Sequence, residues 1–187
     1  MTDDPLTQLF LQCRCSDGTG EFARIIAGSQ NYAYLLAYRL LLSKDEAKDI
    51  VQEAFIRVWQ HRAEFNGQVK FTTWLYSIVS NLCKDRRRTL ARRIQAMIRY
   101  HLWNVARTSK DIENETEQRE LSGWILKLAN ELPDKQKLVF ILRDLQDLDI
   151  GEISIVTGQS PARIKSNLYH ARKFLRQRLV EMKIVDF

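Results

Sequence analysis

The chain has 187 residues, of which 45% are hydrophobic and 28% are charged, and this composition is typical of a globular protein and excludes a disordered one. Its 7 glycines and 3 prolines are too few for an all-β fold with many tight turns. The formal net charge of +6 indicates an anionic partner, either nucleic acid or a membrane surface, although a plain basic protein has the same charge.

Membrane spans, secretion signals and metal sites leave no pattern in the sequence. The most apolar stretch, residues 34–42, is far shorter than the roughly 18 apolar residues of a span and is interrupted by Arg39. The acidic first four residues do not resemble a secretory signal. Three cysteines fit a reducing cytoplasm. Cys13 and Cys15 form a pair without nearby histidines, so we expect no metal and no cofactor.

The first 42 residues predict a helical or frayed lead-in, up to about residue 20, and then a core helix. Apolar residues recur at helical spacing from Glu21 to Leu42, and Gly28-Ser29 is the candidate position for a bend. The next helix is predicted to begin at Ser43, because Ser43 and Glu46 have the spacing of a capping box. Its core face consists of Ala47, Ile50, Val51, Ala54, Phe55 and Val58. Its opposite face is polar, either solvated or suited to a protein partner.

A loop and a basic helix follow. Asn66-Gly67 favours a turn, and Phe65 and Phe71 flank the polar loop. The second helix is predicted to begin near Thr72 or Thr73 and to end in the basic run 84–88. That run either complements the helix dipole or contacts nucleic acid. An aromatic ring of the loop could stack on an unpaired base, whereas in the competing interpretation both phenylalanines belong to the core.

The last third of the chain predicts four helices that end in a helix-turn-helix. Pro133 separates the first of them from a helix over residues 135–145. Asp149 and Glu152 predict a capping box for a short helix over residues 150–157. Gly158-Gln159 then forms the turn, and Ser160 and Pro161 are expected to cap and begin the last helix, which ends at about Met182.

The last helix has a one-sided charge, since no acidic residue occurs from Pro161 to Val180. A merely solvated helix usually mixes both signs, so this pattern predicts contacts with phosphates. The residues on this face and its flanks are Ser160, Ala162, Arg163, Lys165, Ser166, Asn167, Tyr169, His170, Arg172, Lys173 and Arg176.

Three stretches resemble a known family. DEAKDIVQEAFIRVW (residues 45–59) resembles region 2.2 of bacterial sigma factors, and FTTWLYSIVSNLCKDR (residues 71–86) resembles regions 2.3 and 2.4. A third stretch is similar to sigma region 4 through Leu132-Pro133, residues 139–143, Glu152-Ile153, residues 158–160, Lys165-Ser166 and Ala171-Arg172. Within that family, the chain is most similar to the small extracytoplasmic-function (ECF) sigma factors.

The resemblance implies an all-α protein with two small domains joined by a flexible linker. Residues 1–93 would form the region 2 domain, residues 94–113 the linker, and residues 114–187 the region 4 domain. The acidic residues beyond position 110 suggest a solvated linker or, alternatively, a segment that mimics nucleic acid in a basic channel.

The function that the resemblance implies is that of an alternative sigma factor in the cytoplasm. Such a protein binds the RNA polymerase core enzyme and directs promoter recognition and DNA melting, while the chemistry belongs to the polymerase, so the chain is expected not to be an enzyme and to have no small-molecule substrate. Its other implied partners are promoter DNA and an anti-sigma factor, membrane-anchored or not.

The resemblance also assigns roles to residues. Those implied in polymerase binding are Asp45, Asp49, Gln52, Glu53, Phe55 and Trp59. Those implied at the −10 element are Phe65, Asn66, Gln68, Lys70, Phe71, Thr72, Thr73, Trp74, Tyr76, Asn81, Lys84, Arg87 and Arg88. The basic face of the last helix, from Ser160 to Arg176, is implied at the −35 element.

Some positions depart from the family pattern, and other functions compete. Asn167 replaces a commonly basic residue, and Ile155 replaces a polar one, so we expect Ile155 to be exposed and covered by a partner. A stand-alone helix-turn-helix regulator would account for residues 133–180 but not for residues 43–88. An adaptor that binds only proteins is a third hypothesis. Enzyme classes lack support, since the chain has no Gly-rich phosphate loop, nucleophile elbow or His-Glu metal helix.

Overall fold

The structure is a computed structural model that describes residues 4–13, 19–101, 117–182 and 184. Within these residues it contains eight α-helices, a short 3-10 helix, Arg62–Glu64, a π-helical turn, Ile141–Leu145, and no strand, so the predicted all-α class is confirmed. The α-helices are α1 (Pro5–Cys13), α2 (Thr19–Leu41), α3 (Lys44–Gln60), α4 (Phe71–His101), α5 (Glu117–Ala129), α6 (Asp134–Phe140), α7 (Ile150–Thr157) and α8 (Pro161–Glu181). Cys15 and residues 102–116, which include most of the predicted linker, lie outside the described residues.

The first half of the protein consists of helices α1 to α4. It is built on α2, which contacts α1, α3 and α4. A split of α2 at Gly28-Ser29 does not occur, because the helix continues through both residues. The Leu6 side chain of α1 lies 3.1 Å from the position that a Cβ of Gly28 would take. Gly28 therefore permits the close approach of α1 and does not interrupt the helix.

Helix α3 begins as predicted, with Ser43 as its N-cap, whereas both ends of α4 differ from the prediction. Ser43 Oγ accepts a hydrogen bond from the Glu46 backbone N–H (3.3 Å), but the Glu46 carboxylate pairs with Arg86 of α4, so only half of the capping box forms. Helix α4 begins at Phe71 and extends to His101, into the predicted linker. It continues because no glycine or proline occurs between these two residues.

The second half of the protein consists of helices α5 to α8. It contains the predicted helix-turn-helix, α7 and α8, and its supporting helices. The capping box before α7 is complete, since Asp149 Oδ1 accepts from Glu152 N (2.8 Å) and Glu152 Oε2 from Asp149 N (3.0 Å). Gly158 ends α7 with a positive φ of 66°, and Pro161 occupies the first turn of α8. Ser160 precedes α8 in an extended conformation, but its side chain makes no capping hydrogen bond, so that part of the prediction is wrong.

The two halves pack against each other, and a buried lysine lies at their contact. Lys137 of α6 has no exposed surface, and its Nζ donates to the carbonyl of Leu40 (2.7 Å) and to Oδ1 of Asn130 (2.8 Å). Leu40 lies in the last turn of α2, where carbonyls lack partners within the helix. In the other direction, Arg39 NH1 donates to the carbonyl of Leu145 (2.6 Å). A side chain of each half therefore binds the backbone of the other.

Replacing Lys137 with alanine is expected to separate the two halves. The carbonyl of Leu40 and the side chain of Asn130 would lose their donor, and a buried polar group without a partner costs about 1–3 kcal/mol. The radius of gyration from small-angle X-ray scattering should increase while far-UV circular dichroism is unchanged. Lys135→Ala, an exposed position of the same helix, is the control and should leave the radius unchanged. An unchanged radius for Lys137→Ala would show that this contact does not hold the halves together.

Candidate nucleic-acid interface

The basic face of α8 is exposed, as predicted from its charge. Ile164, Leu168, Ala171 and Leu175 are buried in the core of the second half, so the opposite face is turned outward. The exposed residues of the predicted face are Ser160, Ala162, Arg163, Lys165, Ser166, Tyr169, His170, Arg172, Lys173 and Arg176. Only Asn167 is half-buried, and its Nδ2 donates to Oε1 of Gln159 in the turn (2.7 Å).

A cationic groove of about 810 Å³ runs along α8. Its basic lining residues are Arg143, Lys165, Arg172, Lys173 and Arg176. Asp144 accepts two hydrogen bonds from Arg172 (3.0 and 2.5 Å), and these bonds raise the pKa of the guanidinium. Arg143, which the sequence analysis missed, donates to the carbonyl of Leu148 (2.7 Å) and is thereby oriented. The only feature of the sequence that pointed to Arg143 was its positive charge within the predicted helix over residues 135–145.

The segment from residue 65 to residue 73, here called the 65–73 loop, has buried aromatic side chains and exposed polar side chains. The rings of Phe65, Phe71 and Trp74 pack with Phe10 of α1 in an aromatic cluster, with centroid distances to Phe10 of 5.3, 4.7 and 5.6 Å. Phe65 and Phe71 are 3% and 0% exposed. Their rings are therefore not available to stack on a base in this arrangement, and both belong to the core, as the competing interpretation held.

The exposed residues of the loop are Asn66, Gln68 and Lys70. Gly67 has a φ of 73°, which turns the chain between them, and the Gln68 N–H donates to Oδ1 of Asn66 (3.0 Å). The loop therefore presents two carboxamides and an ammonium group on a turned backbone, immediately before the first residue of α4. These groups can donate and accept hydrogen bonds.

The second half of the protein covers part of the predicted −10 surface. Glu152 of α7 accepts from Lys70 Nζ (2.9 Å) and from the hydroxyl of Thr73 (3.2 Å). The bond to Glu152 raises the pKa of Lys70. The Tyr76 hydroxyl lies 3.2 Å from the side-chain amide of Gln146, and burial raises the pKa of Tyr76 to about 12.

The remaining predicted −10 residues lie along α4. Arg87 is half-buried, and its NH2 group lies 2.8 Å from Oδ1 of Asp134 in the second half. Thr72 and Trp74 are also half-buried. The exposed residues of this group are Asn81, Lys84 and Arg88.

Helix α3 presents a polar stripe to solvent, with Asp45, Asp49 and Gln52 exposed at successive turns. The sequence analysis missed Ile56, which lies one turn beyond Gln52 and is 53% exposed. The sequence did contain a signal for Ile56, because it follows Gln52 by four residues and so lies on the same face of the helix.

The other residues predicted to bind polymerase are less accessible. Phe55 is 6% exposed, so its predicted contact does not fit this arrangement, and it is a core residue. Trp59 is half-buried against Phe22 (4.9 Å between centroids). Glu53 forms an ion pair with Arg57 one turn later (3.0 Å).

Ile155 of α7 is 51% exposed, which confirms the exposure expected from its departure from the family pattern.

In the described part of the chain, no group of three His, Cys, Asp or Glu side chains is arranged to hold a metal ion. No helix in that part combines the length and apolarity that a membrane crossing requires.

These features define a class: a two-part helical protein with a helix-turn-helix whose exposed helix is basic. Family models agree with that class and refine it. Residues 26–93 match sigma-70 region 2, and residues 122–175 match sigma-70 region 4. The ECF RNA polymerase sigma factor SigW of Bacillus subtilis is 30% identical over 168 residues, which cover 86% of this chain and 90% of that relative. The ECF sigma-E factor of Haemophilus influenzae is 26% identical, over 84% and 87% of the two chains.

The chain belongs to the ECF RNA polymerase sigma factors, and the predicted resemblance is confirmed. It is therefore an alternative sigma factor, which directs promoter recognition in transcription initiation. The hypothesis of a stand-alone helix-turn-helix regulator leaves the match over residues 26–93 unexplained.

Two solved structures share the fold. CnrH, in complex with the cytosolic domain of CnrY, superposes with a TM-score of 0.71 at 18% identity, over 95% of this chain and 99% of that chain. The sigma factor RpoE of Bartonella quintana, in complex with the anti-sigma factor NepR, superposes with a TM-score of 0.69 at 21% identity, over 85% and 96% of the two chains.

The exposed face of α8 predicts a division between sequence recognition and anchoring. Arg163 lies in the first turn, where base contacts usually fall, so Arg163→Ala should reduce discrimination between promoter variants by about 1–3 kcal/mol. Arg176→Ala should weaken binding uniformly and lower the salt dependence by about one phosphate contact. The measurement is the affinity of holoenzyme for −35 variants at several salt concentrations, with Gln177→Ala as a neutral control. Identical behaviour of the two arginine variants would contradict the division.

Proposed function

We propose that the two halves recognise different parts of the promoter. Residues 1–93 bind the core enzyme and the −10 element, residues 114–187 bind the −35 element, and residues 94–113 link them. The support for the second assignment is the exposure of Arg163, Lys165, Arg172, Lys173 and Arg176 on α8, four of which line the groove. The protein itself is not an enzyme in this proposal, because the polymerase carries out RNA synthesis.

The 65–73 loop captures an unpaired base of the −10 element. The observation that carries this assignment is the outward display of Asn66, Gln68 and Lys70 on a turned backbone before α4. An extruded base costs a few kcal/mol to unpair, and hydrogen bonds to its edge can offset that cost. Since Phe65 and Phe71 are buried, the carboxamides and the ammonium group, and not a phenyl ring, are the groups that hold the base.

Base capture and the contact between the halves exclude each other. Lys70 and Thr73 bind the Glu152 carboxylate, and Tyr76 lies beside Gln146. DNA cannot occupy those positions while α7 does. The second half must therefore leave α4 before the −10 surface is used, whereas the basic face of α8 is exposed already.

The polar stripe of α3 binds the core enzyme, at the coiled-coil clamp of its largest subunit. The support is the exposure of Asp49, Gln52 and Ile56, at successive turns of one helix, without a partner element above Ile56 among the described residues. A rim of polar groups around an apolar side chain is typical of protein interfaces.

The remaining partner in this proposal is an anti-sigma factor, membrane-anchored or not. Both similar solved structures are complexes, one with the anti-sigma factor NepR and one with the cytosolic domain of CnrY. Ile155 of α7, which is 51% exposed and lies three residues after Glu152, is a candidate position for such a partner to cover. The protein acts in the cytoplasm, because the polymerase and the chromosome are there.

The proposed core contact predicts the effect of changing Gln52→Ala and Glu53→Arg together. The double variant should bind core enzyme more weakly, while folding changes by about half a kcal/mol or less, as is usual for surface positions. Arg57→Ala is the control, since it removes the same Glu53 ion pair from the other side. Affinity is measured by fluorescence titration with core enzyme. Equal affinity of the double variant and the wild type would remove α3 from the interface.

The loop assignment predicts the effect of changing Asn66, Gln68 and Lys70 together to alanine. Holoenzyme with this triple variant should still bind duplex promoter but should not make thymines near the start site reactive to permanganate. A pre-melted template should restore transcription. Glu152→Gln is the control, because it weakens the contact to Lys70 without changing the loop and retains a residue suited to the capping box. Normal melting by the triple variant would show that base capture lies elsewhere.

A further inference from the structure

We infer that helix α1 determines the conformation of the 65–73 loop and that Thr7 is its main positioning residue. This inference rests on the proposed role of the loop in base capture. Helix α1 precedes the segment that matches sigma-70 region 2, which begins at residue 26. It nevertheless contacts the start, the middle and the end of the loop.

The end of the loop is fixed by a hydrogen bond from α4 to α1. The backbone N–H of Phe71, the first residue of α4, donates to Oγ1 of Thr7 (2.8 Å) across 64 positions of sequence. Thr7 is fully buried. An N–H in the first turn of a helix has no acceptor within the helix, so the Thr7 hydroxyl supplies what a local N-cap residue would.

The orientation of that hydroxyl is itself determined. Thr7 Oγ1 donates to Oδ2 of Asp4 (2.6 Å), and the Thr7 backbone N–H donates to the same oxygen (2.9 Å). Because the hydroxyl proton points to Asp4, a lone pair of the oxygen points to the Phe71 amide. The arrangement from Asp4 through Thr7 to Phe71 therefore has one hydrogen-bonding pattern.

The start and the middle of the loop also contact α1. The Phe10 ring packs edge-to-face on Phe65 (5.3 Å between centroids) and lies 4.7 Å from the Phe71 ring. Cδ1 of Leu11 lies 2.9 Å from the position that a Cβ of Gly67 would take, so the turn of the loop rests directly on α1. Within the loop, the Gln68 N–H donates to Oδ1 of Asn66 (3.0 Å). Contacts from outside the loop, at its start, middle and end, therefore support the conformation that displays its polar groups.

The test compares Thr7→Val, which keeps the shape of the side chain and removes the hydroxyl, with Thr7→Ser, which keeps the hydroxyl. Full-length Thr7→Val should bind core enzyme as tightly as the wild type. Amide hydrogens of residues 66–71 should exchange about ten-fold faster, the effect of losing one hydrogen bond to a buried group. Formation of permanganate-reactive complexes on duplex promoter should fall by about the same factor and return on a pre-melted template. Thr7→Ser should restore both measurements.

Two further variants separate positioning from general destabilisation. Val79→Ala truncates a core side chain two turns further along α4 and should leave exchange in the loop and promoter melting near the wild-type values. Asp4→Ala removes the acceptor that orients Thr7 and should produce a smaller change in the same direction, which decides the question if Thr7→Val does not fold.

Several outcomes would overturn the inference. Wild-type exchange and melting in Thr7→Val would do so, as would an equal melting defect in Val79→Ala. A loss of core affinity in Thr7→Val would also contradict a role confined to the loop. The triple alanine variant of the loop distinguishes a failure of the proposed loop function from a failure of the inferred role of α1. If that variant melts DNA normally, the proposed loop function fails and the inference fails with it; if it is defective while Thr7→Val is normal, only the inference fails.

Discussion

A lysine ammonium group buried against the end of a helix joins the two halves of this sigma factor. Burial of a charge is unfavourable unless hydrogen bonds compensate for it, and Lys137 obtains two, from the Leu40 carbonyl and the Asn130 side chain. The pKa of Lys137 is nevertheless lowered to about 8, chiefly by burial and next by the positive charge of the nearby Arg87. Because the buried amine binds its proton less tightly than a free lysine, its contribution to the contact grows as the pH rises from about 8 towards its ordinary value of 10.5.

Two ion pairs between the halves are partly exposed. The Arg87–Asp134 and Lys70–Glu152 pairs each have at least one side chain more than a third exposed, and such pairs contribute about 0–1 kcal/mol. Among the polar contacts between the halves, the most buried are therefore those of Lys137 and Arg39, each of which binds a backbone carbonyl of the other half.

The consequences for the two DNA surfaces differ. Glu152 occupies hydrogen-bonding positions at Lys70 and Thr73, so the −10 surface is partly covered. The basic face of α8 lies on the opposite side of the helix-turn-helix from its core and stays exposed. In this arrangement the proposed −35 surface is therefore exposed, whereas the proposed −10 surface is partly covered. The contacts of Phe10 and Thr7 with Phe71 support the inferred role of α1 in ordering the loop before DNA binds.

The sequence by itself determined the helices, the capping box at Asp149 and Glu152, the helix-turn-helix and the exposed basic face of α8, because spacing and caps act between residues a few positions apart. Only the tertiary structure decided the roles of single side chains. Lys137 has the sequence context of a surface residue, yet it is buried because α6 packs on the end of α2. Phe65 and Phe71 are core residues because α1, far away in sequence, supplies Phe10 and Thr7. Contacts of this kind join positions tens of residues apart and leave no local pattern, so no periodicity or motif could have shown them.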